Sequence, residues 1–243
     1  MSEEPRDYVY DDNGNITQLG GSSFSISGSS NKITNSGYGY DNNGNMTTHQ
    51  GNTVIYNWRN EIVQYQVSGD YPRYFNYDAF GQRVKNEQYT SIRYYITSGQ
   101  NVLEEYATNT GSNPTLNILH IYAGSQRIAS IVPGNDIYYV CSDQIMSSKV
   151  MVDETGNNDQ TRDYYPYGAT RTASGSISAY QFSGKEKDVT GLYYFGARYY
   201  DPTIGRWLSC DPAEQGWSPY VYCGNNPIIM VDPDGEFFGD IKI

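Results

Sequence analysis

YVYDDNGNIT (Tyr8 to Thr17), YGYDNNGNMT (Tyr38 to Thr47) and FNYDAFGQRV (Phe75 to Val84) are three copies of one unit: an aromatic residue, any residue, Tyr, Asp, two variable residues, then Gly. The signature positions are Tyr10, Asp11 and Gly14, then Tyr40, Asp41 and Gly44, then Tyr77, Asp78 and Gly81. Internal repetition of this kind marks stacked supersecondary units that bury a face only against their neighbours. A degenerate copy, YNWRNEIV, sets Trp58 against Tyr40 and Tyr77, and steps from Tyr40 to Trp58, Tyr77 and Tyr95 of 18, 19 and 18 residues give the period. Asn13-Gly14 and Asn43-Gly44 supply the positive backbone angles of a tight hairpin turn. Each Asp stands just before such a turn, where its carboxylate accepts backbone N–H groups, so Asp11, Asp41 and Asp78 read as turn clamps. One period then holds two strands and a turn.

Working outward, Pro, Gly, Asn, Ser and Thr interrupt every window, and no long stretch keeps a 3.6-residue period. The expected class is all-β: a spiralling antiparallel sheet of stacked hairpins. Gly20 to Gly37 reads as a long hairpin or a mobile loop. GYGYDNNG has glycines but no following helix, which argues against a nucleotide site.

The chain has 243 residues, with 16 basic and 27 acidic side chains and a net charge of −11. Without a basic stripe, that balance argues against nucleic acid or anionic lipid as partner. Tyrosine is the compositional anomaly, 26 against seven Phe and three Trp. Such rings suit half-buried pleated surfaces, dry at one end and polar at the other. Cys141, Cys210 and Cys223 read as small buried side chains, with a Cys210–Cys223 bridge as the alternative. His49 and His120 are isolated in sequence, so neither a metal nor a cofactor is expected. No apolar run reaches the 18 residues of a membrane span, and the acidic start MSEEPRDY does not read as a signal peptide.

After about residue 135 the strict repeat fades. YYPYG (Tyr164 to Gly168), FSGKEKD (Phe182 to Asp188), GLYYFGARYYDPTIGRW (Gly191 to Trp207), DPAEQG (Asp211 to Gly216) and NNPIIMVDPDG (Asn225 to Gly235) follow one another. These stretches, with the three early repeats, closely resemble the rearrangement hotspot (RHS) or tyrosine-aspartate (YD) repeat proteins and their RHS-associated core. The chain departs from that pattern at IYYVCSDQIMSS (Ile137 to Ser148), where Cys141 and Gln144 replace two family histidines. The resemblance implies repeat hairpins over residues 1–135, an RHS-associated core over 136–236 at the C-terminal end, and a short tail over 237–243. It also implies a sheet that winds into a shell, with the core curled inward as a plug, in secreted proteins of toxin type. A rough count of 20 strands at about 4.8 Å gives a sheet about 95 Å wide, and one turn of it is about 30 Å across. That is too narrow to enclose a folded toxin domain of about 100 residues.

The reading adopted is a structural and assembly role in a secreted RHS-like protein, as a shell end or a surface component that self-associates through open β edges or neighbouring repeats. A C-terminal toxin segment is the other partner the resemblance implies, and FFGDIKI (Phe237 to Ile243) is too short to be one. Many family members are aspartyl autoproteases that cut just after a DPxG sequence. By that resemblance Asp211 is the candidate acid, with Asp201, Asp232 and Asp234 available as its partner. Arg198 and Arg206 are candidates for holding a carboxylate charged, and Gly235 and Glu236 mark the cut. Here Glu236 stands where the family has Leu. Asp-Pro at Asp201, Asp211 and Asp232 also reads as plain turn entry. A third reading is adhesion or glycan binding through Trp207 and Trp217, although both tryptophans read first as core.

Overall fold

Each repeat closes on its own aspartate. Asp11 Oδ1 accepts the backbone N–H groups of Asn13 (3.0 Å) and Asn15 (2.8 Å). Asp78 Oδ1 takes those of Phe80 (2.8 Å) and Gln82 (2.9 Å), and Asp41 Oδ1 takes that of Asn45 (2.8 Å). Gly14, Gly44 and Gly81 have φ of 78°, 85° and 81°, while Asn13 and Asn43 stay at negative φ. The turn is therefore the three-residue kind, in which only the glycine is left-handed and a bulge follows, and not a two-residue Asn-Gly turn. The register accordingly slips at Tyr10, Tyr40 and Tyr77. The same clamp recurs at Asn57, Asp143 and Asp153. Tyr56 is thus the structural counterpart of Tyr40, and Trp58 sits at the turn tip, exposed.

The computed structural model describes residues 7–134, 136–175 and 178–240. The acidic start (1–6) and the last three residues of the tail lie outside the described residues. Tyr8–Tyr10, Ile16–Leu19 and Ser22–Ser23 form a three-stranded ribbon, and fourteen strands from Gly39–Tyr40 to Thr170–Ser174 follow, each paired with its neighbours in sequence. Gly20 to Gly37 contains the third strand of that ribbon and a small hairpin bridged at Ile26 and Ile33. Strand Gln126–Val132 pairs with Asp136–Ser142, so the ladder runs on past the point where the repeat fades in sequence. The wall comes round on itself: Tyr10 Oη lies 2.9 Å from Tyr167 Oη, and the Tyr8 and Tyr167 rings are 5.2 Å apart.

Residues 178–240 fill the coil. Four of their six short strands, Glu186–Lys187, Tyr193–Tyr194, Tyr199–Asp201 and Arg206–Trp207, make a separate small sheet, and Met230–Val231 pairs with Gly239–Asp240. Phe182, Tyr193, Phe195, Tyr200, Trp207 and Tyr222 pack with Ile16 and Leu19 of the wall. Leu192, Tyr199, Ile204 and Leu208 pack with Met46, Val54, Ile62 and Phe75. The tyrosine hydroxyls bond into the wall: Tyr200 donates to Tyr167 O (2.9 Å), Tyr220 to Gly44 O (2.8 Å) and Tyr193 to Gly168 O (3.2 Å).

Two burial expectations need correction. Trp207 is core, but Trp217 is 88% exposed. Cys223 is buried, Cys210 is half-buried and Cys141 is exposed, because Cys141 points outward from the wall strand Asp136–Ser142; all three are free thiols.

Gly44 and Gly51 separate backbone strain from wall-to-plug contact. Both have positive φ, but a Cβ on Gly51 meets nothing within 4 Å, whereas one on Gly44 falls inside contact distance of Cys210 Sγ and 2.9 Å from Tyr220 Oη. Gly51→Ala is expected to cost about 1–2 kcal/mol, and Gly44→Ala about 1–3 kcal/mol more, because the plug must move. Urea unfolding of the two variants checks the difference.

Candidate functional site

The FGAR turn (Phe195–Arg198) lies against the DPDG turn (Asp232–Gly235). Ala197 N donates to Asp234 O (2.9 Å), and a Cβ on Gly235 would stand 3.0 Å from Arg198 N. Arg198 is the hub. Its Nη1 is 3.3 Å from Asp211 Oδ1, its Nη2 is 3.3 Å from Asp232 Oδ2, and its Nε donates to the Gly235 carbonyl (2.5 Å). The guanidinium lies 4.1 Å from the Trp207 ring centroid, a stacked position that arginine suits better than lysine.

Asp232 closes its own turn by accepting Gly235 N (2.7 Å) on Oδ1. Burial pushes its carboxyl above the usual range, outweighing Arg198 and the turn N–H groups. Burial likewise pulls Arg198 down against the attraction of Asp211 and Asp232. Asp211 accepts Ala213 N (3.2 Å) and Gln215 N (2.8 Å), which is the same turn clamp as in the repeats. Asp234 Oδ1 accepts Glu236 N (3.0 Å) and Phe237 N (3.2 Å). Glu236 itself is exposed.

Of the sequence candidates, Asp211, Asp232, Asp234, Gly235 and Glu236 come together around Arg198. Asp201 and Arg206 do not. Asp201 binds His49 Nε2 (2.7 Å) and Thr203 N (2.6 Å), and these bonds lower its carboxyl although burial alone would raise it. Arg206 donates to Asn31 O (2.5 Å) and stacks on Tyr220, so it holds no carboxylate. His120, like His49, is paired: it bonds Glu105 (3.1 Å) and Ser130 (2.9 Å). Among the described residues no group of His, Cys, Asp and Glu could hold a metal.

A second charged cluster, which sequence reasoning did not single out, fastens the plug to the wall. Arg83, on the strand after the third repeat turn, is 3% exposed. It meets Glu186 Oε2 (2.5 Å) and Asp188 Oδ2 (2.8 Å), both from the FSGKEKD stretch, and the Tyr199 hydroxyl (2.9 Å). Tyr95 Oη donates to Glu186 Oε1 (2.9 Å). Burial raises Glu186 to about 7 despite Arg83, and the neighbouring charges of Asp188 and Glu105 act in the same direction.

Comparison with known proteins matches this arrangement to one family. The pattern described as Teneurin YD-shell covers residues 1–228. The chain belongs to the YD-shell family. The toxin subunit YenC1 of Yersinia entomophaga is 33% identical over 217 residues, 76% of this chain and 22% of its own length. The salivary gland surface protein 1 of Aedes aegypti is 35% identical over 179 residues, 67% of this chain and 5% of its own length. A chain of the Photorhabdus luminescens Tc holotoxin pore superposes with a TM-score of 0.81 at 25% identity, over 95% of this chain and 13% of that one. The YD-shell chain thus spans less than a quarter of the length of these relatives.

Two measurements probe the Arg83 cluster. Arg83→Met leaves buried Asp188 without its ion-pair partner and Glu186 with the more distant Arg93 (3.6 Å), and is expected to cost about 3–5 kcal/mol by denaturant titration. Glu186 holds a proton in the folded chain between pH 4.5 and about 7 that the unfolded chain has released. Its contribution is therefore full below about pH 4.5 and fades as pH rises through 7. Glu186→Gln should lose on the order of 2–3 kcal/mol less than the parent between pH 4.5 and 7.5, read from unfolding curves across that range.

Proposed function

We propose that this chain is the closed end of a larger YD-repeat shell in an extracellular, toxin-type assembly, where it works as wall and plug. The observation that carries the reading is the filled lumen: residues 178–240 occupy the coil and are bonded to it through Arg83, His49 and the tyrosine hydroxyls. The coil therefore holds its own core, and any C-terminal toxin segment belongs outside it or in a longer shell. Toxin-subunit and surface-protein relatives, each far longer, support both the setting and association with other subunits. Strand Thr170–Ser174 supports self-association: it is largely exposed and, among the described residues, pairs on one side only, with Asn158–Tyr164. An unpaired edge is a template for another strand. Light scattering of the purified chain should show a mass that grows with concentration, and Thr172→Lys with Ala173→Lys should hold it at one copy. A parent that is monomeric at every concentration overturns the self-association.

The Arg198 cluster favours a second reading, self-cleavage after Glu236. Arg198 gathers Asp211, Asp232 and the Gly235 carbonyl, and Asp234 holds the Phe237 N–H, the amine that would leave. Asp232, raised by burial, and Asp211 share one guanidinium, and two carboxyls gathered in one site are what acid–base proteolysis uses. Intact-mass measurement decides between the readings. A product ending at Glu236 that Asp211→Asn abolishes supports cleavage, and an intact parent over days supports the structural role alone. The exposure of Trp217 keeps a glycan-stacking surface as a third reading, tested by loss of array binding in Trp217→Ala.

A further inference from the structure

Between the wall and the plug lies a cavity of about 210 Å³, far more than the roughly 10–15 Å³ that a single water requires. Exposed Gln100, Ser125 and Pro233 stand among its lining residues and give it a mouth to solvent. Val102, Val140, Met146, Tyr180 and Phe195 make much of its wall apolar. Arg127 lines it and is 7% exposed. The Arg127 guanidinium lies over the Tyr180 ring at 4.3 Å, and Nη2 donates to the Tyr180 carbonyl (3.3 Å). Nε and Nη1 are sealed from solvent and have no acceptor among the described residues, so a ligand in the cavity reaches them only if the guanidinium turns toward it.

Arg127 differs from the other cations around the cavity. Arg83 has Glu186 and Asp188, and Lys185 donates to the Pro233 carbonyl (2.5 Å). Among the described residues no carboxylate pairs with Arg127. Arg206 is similarly buried over a tyrosine, but it does not line this cavity. A buried guanidinium without a counter-charge is costly, and arginine's planar donors suit a carboxylate. We infer that this cavity is a binding site for a carboxylate on a small apolar body, held by Arg127 with Lys185 as the second cation and the aromatic walls around the body. The carboxylate is either a free organic acid or one borne by a peptide.

Calorimetric titration of the full chain with benzoate, its neutral isostere benzamide, and chloride tests the assignment. Benzoate is expected to bind at least tenfold more tightly than benzamide, with chloride ineffective at equal ionic strength. Arg127→Met should lose that preference, and Arg127→Lys should keep part of it. Met removes an uncompensated buried charge, so this variant should melt no lower than the parent, which keeps the loss of binding separate from unfolding. Displacement of benzoate by a short peptide ending in Phe-Glu assigns the peptide-borne source, and its failure to displace assigns the free acid. Equal binding of benzoate and benzamide, an unchanged preference in a folded Arg127→Met or Arg127→Lys chain, or no binding of benzoate at all overturns the site.

Discussion

A sheet bent through one turn has an inner face that it cannot bury by itself, and everything else in this molecule answers that constraint. Hairpins clamped by aspartate give the wall its curvature, but the wall's Ile16, Met46, Val54, Ile62 and Phe75 lie in clusters completed by residues of the plug. Wall and plug are therefore one cooperative unit, and the burial of apolar surface that holds them together is shared between segments more than a hundred residues apart. Arg83 sharpens this dependence. Its charge is tolerable inside only because Glu186 and Asp188 arrive from the plug.

The abundance of tyrosine follows from the same geometry. Strand-to-strand pairing leaves carbonyls at the turns of the wall facing a dry interior, and such groups need donors. A phenylalanine could fill the space beside Gly44, Gly168 or Tyr167 but could not donate to their carbonyls, whereas Tyr220, Tyr193 and Tyr200 do both. The hydroxyl thus fixes where each ring sits, and a core that is mostly aromatic acquires a single register.

Much of this was legible in the amino-acid order. The Tyr-Asp-x-x-Gly unit carries its turn chemistry locally, so hairpins, clamps and the all-β class could be read from adjacent residues. What could not be read depends on partners distant in sequence. Nothing near Arg83 signals two acids about a hundred residues later, and nothing near His49 points to Asp201. Arg198 and Arg206 sit in similar aromatic and glycine-rich surroundings, yet only Arg198 reaches acids, because the FGAR and DPDG turns meet in space. The clamps at Asn57, Asp143 and Asp153 were obscured for the opposite reason: the backbone needs only an oxygen acceptor before the turn, so the tyrosine and glycine that make the unit recognisable are free to vary. Trp217 misled because tryptophan is usually sheltered, whereas here it ends the largely exposed segment that begins at Pro212.

The seam where Tyr10 meets Tyr167 is made by side chains, and among the described residues no backbone ladder crosses it. A closed barrel must match strand number to shear, so each added hairpin changes its radius. A spiral whose seam is made by side chains carries no such arithmetic. It can lengthen along its axis at constant girth, one repeat at a time, while the cap that seals its end stays the same.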